Sequence, residues 1–186
     1  MNEQDLRNSI KNVLMGITGI GQVYDYERFA RDWSTFLAFF KNPAMNPPVI
    51  LGWEITKNGI GITKVAQKFR LSHNFVIKGY LGVNDAGKSD VLFNALILVI
   101  VQALLDAKLP GPGGSAIAMP QVDRIEPREF GAVLCHYAEI RYSLWDDTDL
   151  TPEQAVDFLR VTLDYYLAGH SEDGTPDAED DVTLAQ

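Results

Sequence analysis

Residues 65–81, VAQKFRLSHNFVIKGYL, constrain the fold more than any other stretch of the chain. Val65, Phe69, Leu71, Phe75 and Ile77 alternate with Lys68, Arg70, Ser72, Asn74 and Lys78. A period of two puts the first set on one side of a strand and the second on the other. Parallel sheets are covered on both sides and read as unbroken apolar runs, so one buried and one wet face predicts an antiparallel sheet.

The rest of the chain fits around that strand. In VILGWEIT (49–56), Val49, Leu51, Trp53 and Ile55 share a face, and Asn58-Gly59 is a tight-turn pair, so a hairpin is expected near 56–63. FGAVLCHYAEIRYSLW (130–145) reads as a second long strand, apolar on both faces over Val133–Tyr137 and therefore central. Helical spacing is expected over 3–15 (Leu6, Ile10, Val13, Leu14), 26–41 (Phe29, Trp33, Phe36, Phe40) and 88–107. It is expected again over 152–167 (Ala155, Phe158, Leu159, Thr162, Leu163, Tyr166), with Thr151 as N-cap and Pro152 at the first helical position. KLPGPGGSAIAMP (108–120) is a Gly/Pro-rich loop. Strands and helices do not alternate regularly, which predicts an α+β domain, with helices packed on one side of a mostly antiparallel sheet.

Residues 1–168 read as one domain. Residues 169–186 hold six acids, and no Lys or Arg follows Arg160, so this stretch is expected to be a disordered acidic tail. A net charge of −9 opposes non-specific attraction to nucleic acid. The single cysteine, Cys135, allows no internal disulfide. Charges in MNEQDLRNSIKNVL argue against a signal peptide. The apolar run Val91–Leu105 is shorter than the roughly 20 residues of a membrane span, and is expected to be a buried helix rather than a membrane anchor.

GVNDAGKS (82–89) matches the phosphate-loop pattern G-x-x-x-x-G-K-S. In that reading Gly82 and Gly87 shape the loop, Lys88 reaches the β/γ-phosphates and Ser89 holds Mg²⁺. Three features oppose it: the preceding strand is amphipathic, no apolar strand ends in a second acid for the metal, and Asp85 would repel an anion. The alternative is a polar turn in which Ser89 or Asp85 caps the next helix. Cys135 and His136 are adjacent on a strand and point apart, which excludes a thiol–imidazole pair. His73, His136 and His170 lack metal-ligand spacing. Glu139 and Arg141 share a face, as a surface ion pair would, and Asp146-Asp147 precede a helix start whose dipole they would complement. No catalytic residue, cofactor or metal is expected.

GITGIGQVYDYERFARDW, HNFVIKGYLGVNDAGKSDVLFNALI and EFGAVLCHYAEIRYSLW, in that order, resemble the tail terminator (tail-completion) proteins of tailed bacteriophages. The resemblance spans roughly residues 10–165. It departs from the family at Gly87-Lys88-Ser89, where a plain polar turn and helix start would stand. It implies a virion structural protein of the tail and neck, assembled in the host cytoplasm. Such a subunit forms a homo-hexameric ring that caps the tail tube, ends tube polymerisation and joins the head-tail connector. The alternatives are a nucleotide-binding protein using Gly82, Gly87, Lys88 and Ser89, or another neck or head-closure component. On the ring reading, Lys68, Arg70, Lys78 and Arg141 are expected at a subunit interface, the lumen or the tube. The loop 108–120 or the hairpin is expected to reach a neighbour. Neither a membrane nor specific nucleic acid is expected as a partner.

Overall fold

The computed structural model describes residues 2–42, 49–65, 68–111, 117–151 and 154. It is an α+β fold built on the path β1-β3-β4-β6-β5. The strands are β1 (Gln22–Tyr24), β2 (Lys41–Asn42), β3 (Val49–Val65), β4 (Lys68–Gly82), β5 (Gln121–Phe130) and β6 (Val133–Leu150). All pairings are antiparallel except β1 with β3, and β2 joins β3 through Lys41 and Ile50. The helices are α1 (Glu3–Met15), α2 (Trp33–Phe39) and α3 (Ser89–Asp106). The expected acidic tail, His170 and the expected helix beyond Gln154 lie outside the described residues.

Each helix has a local cause. Asn2 and Asp5 form a reciprocal capping box that starts α1, and its stripe of Leu6, Ile10 and Leu14 is fully buried. The expected second helix, 26–41, is shorter than its aromatic spacing suggests. Asp32 takes the N-cap position and accepts from Thr35 N at 2.9 Å, so the helix begins at Trp33 and Phe29 is left 79% exposed.

The Asn58-Gly59 hairpin is also corrected. β3 continues through this pair as a β-bulge, and the chain reverses only between Val65 and Lys68. Gly59 takes φ +132°, which side-chain-bearing residues rarely adopt. The bulge adds one residue to β3, which reverses the alternation. Ile60 and Ile62, opposite His73 and Leu71, therefore share a face with Trp53 and Ile55.

α1 and α3 cover one face of the sheet with a cluster that includes Trp53, Phe75, Ile77, Phe93, Ile97, Ile140 and Tyr142. Gly79 lies under the Trp53 ring, and a Cβ there would overlap the indole. α2 covers the other face with an aromatic cluster of Phe36, Phe40, Tyr80, Phe130 and Tyr137 around the buried Cys135. The face of β4 expected to be wet is thus only partly so. Val76 and Tyr80, which share it with Lys78, are buried.

Candidate interaction surface

The 82–89 turn is closed by its own backbone. Gly87 N donates to Asn84 O and to Asn84 Oδ1, Lys88 N to Asp85 O, and Ser89 N to Asn84 O. These are the N–H groups that would have to face a phosphate, and all three are already donating within the turn. Neither Ser89 nor Asp85 caps α3. The N-cap position belongs to Lys88, at φ 50°, with no side-chain cap bond. The buried Ser89 hydroxyl instead accepts from Asn84 N at 2.8 Å and lies 2.9 Å from His136 Nε2. This contact ties the turn to β6, and His136 in turn stacks on Phe93 of α3. Strand β4, which leads into the turn, has antiparallel neighbours on both sides, whereas a phosphate-loop strand lies in a parallel sheet. Cys135 faces the aromatic cluster, away from His136, and burial pushes its thiol up to about 11.

The four cations expected at an interface share the face of the sheet opposite α1 and α3, but they do not form one patch. Lys78 is half-buried, bonded to Glu27 at 2.6 Å and flanked across the sheet by Glu54 and Glu139. Arg141 is exposed and forms a two-pronged pair with Asp123 of β5, in place of the expected pair with Glu139. Arg70 lies over the Trp145 ring, 5.4 Å from its centroid, and Lys68 begins the same strand. Only Lys68 and Arg70 therefore lie together, near the hairpin end.

Sequence reasoning missed two buried polar groups. Glu54, 1% exposed, accepts from Arg28 N and from the Tyr80 hydroxyl, each at 2.8 Å. Burial holds its carboxyl above the ordinary value. Its position in the apolar run VILGWEIT was a usable signal, since a carboxylate there must be either exposed or hydrogen-bonded. Asp146, expected at a helix start, is buried 3.2 Å from His73 Nε2, and Glu3 approaches the other ring nitrogen at 3.8 Å. Among the described residues no group of three His, Cys, Asp or Glu is placed to hold a metal ion.

Two surfaces remain that chemistry does not account for. One is an arm. The helix layer reaches His73 of β4, paired with Ile60 of β3, through Glu3 at the start of α1. Beyond it β3 runs on to Val65, β4 starts back at Lys68 and β6 continues to Leu150, a projection of roughly 15 Å at about 3.3 Å per residue. The other is a set of exposed apolar side chains. Leu98 and Val91 of α3 are 70% and 58% exposed, on the side of the helix away from its buried stripe, and Val122 and Ile125 of β5 and Leu134 of β6 are exposed as well. Register places Val122 opposite Ile140 and Ile125 opposite Ala138, on the face that α3 covers. No protein-family model matches this chain, and no curated protein matches it.

Proposed function

We propose that this chain is a ring-forming subunit that caps a bacteriophage tail tube and joins it to the neck. The resemblance of its three sequence stretches to tail terminator proteins motivates the reading, and the α+β fold is compatible with it. The observation that carries it is the exposure of apolar side chains on α3 (Val91, Leu98) and on β5 and β6 (Val122, Ile125, Leu134), together with a projecting arm. A closed ring needs two unlike patches on every subunit, one for each neighbour. On this reading the exposed apolar side chains of α3, β5 and β6 receive one neighbour, and the arm, through the Lys68 and Arg70 end, reaches the other. The ring, taken as a hexamer, docks on the tube end in place of the next tube ring. Its far side recruits a connector rather than more tube protein, so growth stops.

The test is the native mass of the purified chain, with and without tail tubes, followed by electron microscopy of the tube ends. Rings and capped tubes are expected. Leu98→Lys is expected to leave the circular dichroism of the subunit unchanged while reducing the ring to smaller species. A wild-type chain that stays monomeric at high concentration and leaves tubes growing overturns the reading.

A further inference from the structure

The bulge in β3 leaves one residue out of the ladder. β4 pairs Phe75 with Lys57 and Asn74 with Gly59, so Asn58 has no residue opposite it. Asn58 and Gly59 are both exposed. Among the described residues the Asn58 carboxamide has no hydrogen-bond, ion-pair or ring partner. Space around the pair is open: a Cβ added at Gly59 would touch only Asn74 Nδ2, at 3.9 Å. This is also the only asparagine followed by glycine in the sequence.

Those features together favour one reaction. A carboxamide carbon lies a ring closure away from the next main-chain nitrogen, and the closed ring has five members. A side chain on the following residue obstructs the approach, and glycine has none. In a regular strand the extended, paired backbone holds that nitrogen away from the carbon, whereas the extra residue of a bulge is released from the ladder.

We infer that Asn58 is a site of spontaneous modification, at which the carboxamide becomes a carboxylate through a cyclic imide formed with Gly59. Gly59 N gives its proton to solvent base and bonds to Asn58 Cγ. The Cγ–Nδ2 bond breaks, and the nitrogen takes up a proton and leaves as ammonia. Water then opens the ring with no change of oxidation state. Addition at Cγ breaks the new bond to Gly59 N and leaves aspartate. Addition at the main-chain carbonyl carbon of residue 58 breaks the original peptide bond instead and leaves isoaspartate, with the chain running through Cγ. The second product adds a carbon to the main chain of β3 at the point where the bulge sets the alternation of Ile60 and Ile62. Either product puts a carboxylate beside Lys57, whose ammonium pairs with Glu3. The inference concerns one subunit and does not rest on the ring reading.

Incubation of the purified full chain at about pH 8 and body temperature tests it, followed by proteolytic mapping with fragmentation that separates aspartate from isoaspartate. The peptide containing residue 58 is expected to gain the mass difference between amide and acid, as a mixture of both isomers. It should do so on the order of tenfold faster than any other asparagine peptide, since no other asparagine precedes a residue without a Cβ. The rate should rise with pH, because Gly59 N has to lose its proton. Asn58→Gln, which would need a six-membered ring, is expected to remove the product and leave the circular dichroism unchanged. The same incubation in strong denaturant isolates the part played by the bulge. A folded chain that reacts within about tenfold of the unfolded rate supports the inference, because the pair then needs little local opening. A folded chain that reacts more slowly than that overturns it, and so does comparable reaction at several asparagines.

Discussion

The two faces of the sheet are built on different principles. The α1/α3 face is a largely aliphatic core in which Trp53 stacks on Phe93, with ring centroids 5.7 Å apart, and covers Gly79 so closely that a Cβ there would overlap the indole. The α2 face is almost entirely aromatic: Phe36, Phe40, Tyr80 and Phe130 meet at centroid distances of 4.7–6.2 Å, mostly edge to face. It also holds polar groups. Glu54 and Tyr80 satisfy each other inside it, and Arg28 stacks 3.9 Å from the Phe39 ring centroid beside them. The first face depends on shape, the second on ring geometry and matched hydrogen bonds. A short helix is enough to cover the second because its rings supply area that α2 alone would not.

That contrast can be broken most severely at Trp53. Trp53→Ala removes the largest fully buried side chain of the first face and is expected to cost about 3–5 kcal/mol by denaturant titration. A loss below 1 kcal/mol would mean that this face tolerates a hole and is not shape-limited. Gly79→Ala approaches the same contact from the other side. The added methyl displaces the indole, for an expected loss of roughly 1–3 kcal/mol, and Gly79→Ala made together with Trp53→Leu should lose less than the sum of the two.

Glu54 sharpens the comparison with the smallest effect. Burial raises its pKa above the ordinary value of 4.5, so its contribution to folding is complete below that pH and fades as pH rises through the folded-state value. Glu54→Gln keeps an acceptor for Arg28 N and a partner for the Tyr80 hydroxyl but carries no proton to lose. Its stability relative to the unmutated chain should therefore rise from pH 5 to pH 8. A constant difference across that range would show that burial in the aromatic face does not raise the carboxyl.

Periodicity made much of this legible. The alternation in β3 and β4 gave the antiparallel pair and the correct buried face for Trp53, Ile55, Phe75 and Ile77, because a period of two has only two outcomes per strand. The stripe of α1 and the apolar run of α3 gave helices within a residue or two of their observed ends. What failed did so for stated reasons. Asn58-Gly59 has the composition of a turn, yet the same φ freedom suits a bulge, and only the partner strand decides between them. The aromatic spacing of 26–41 is helical throughout, but the cap at Asp32 stops the helix short. Of the four cations expected at an interface, alternation put Lys68, Arg70 and Lys78 on one face of a strand, but it could not show that Glu27 and Asp123, distant along the chain, take up Lys78 and Arg141.

The local sequence determined which stretches are strands and helices, and which side of each is apolar, because those properties depend on residues one to four positions apart. Tertiary structure alone decided that Ser89 bonds to His136, that Asp146 is buried on His73 and that Glu54 meets Tyr80. Each joins residues 26 to 73 positions apart, and their encounter depends on strand register and helix placement rather than on any local pattern.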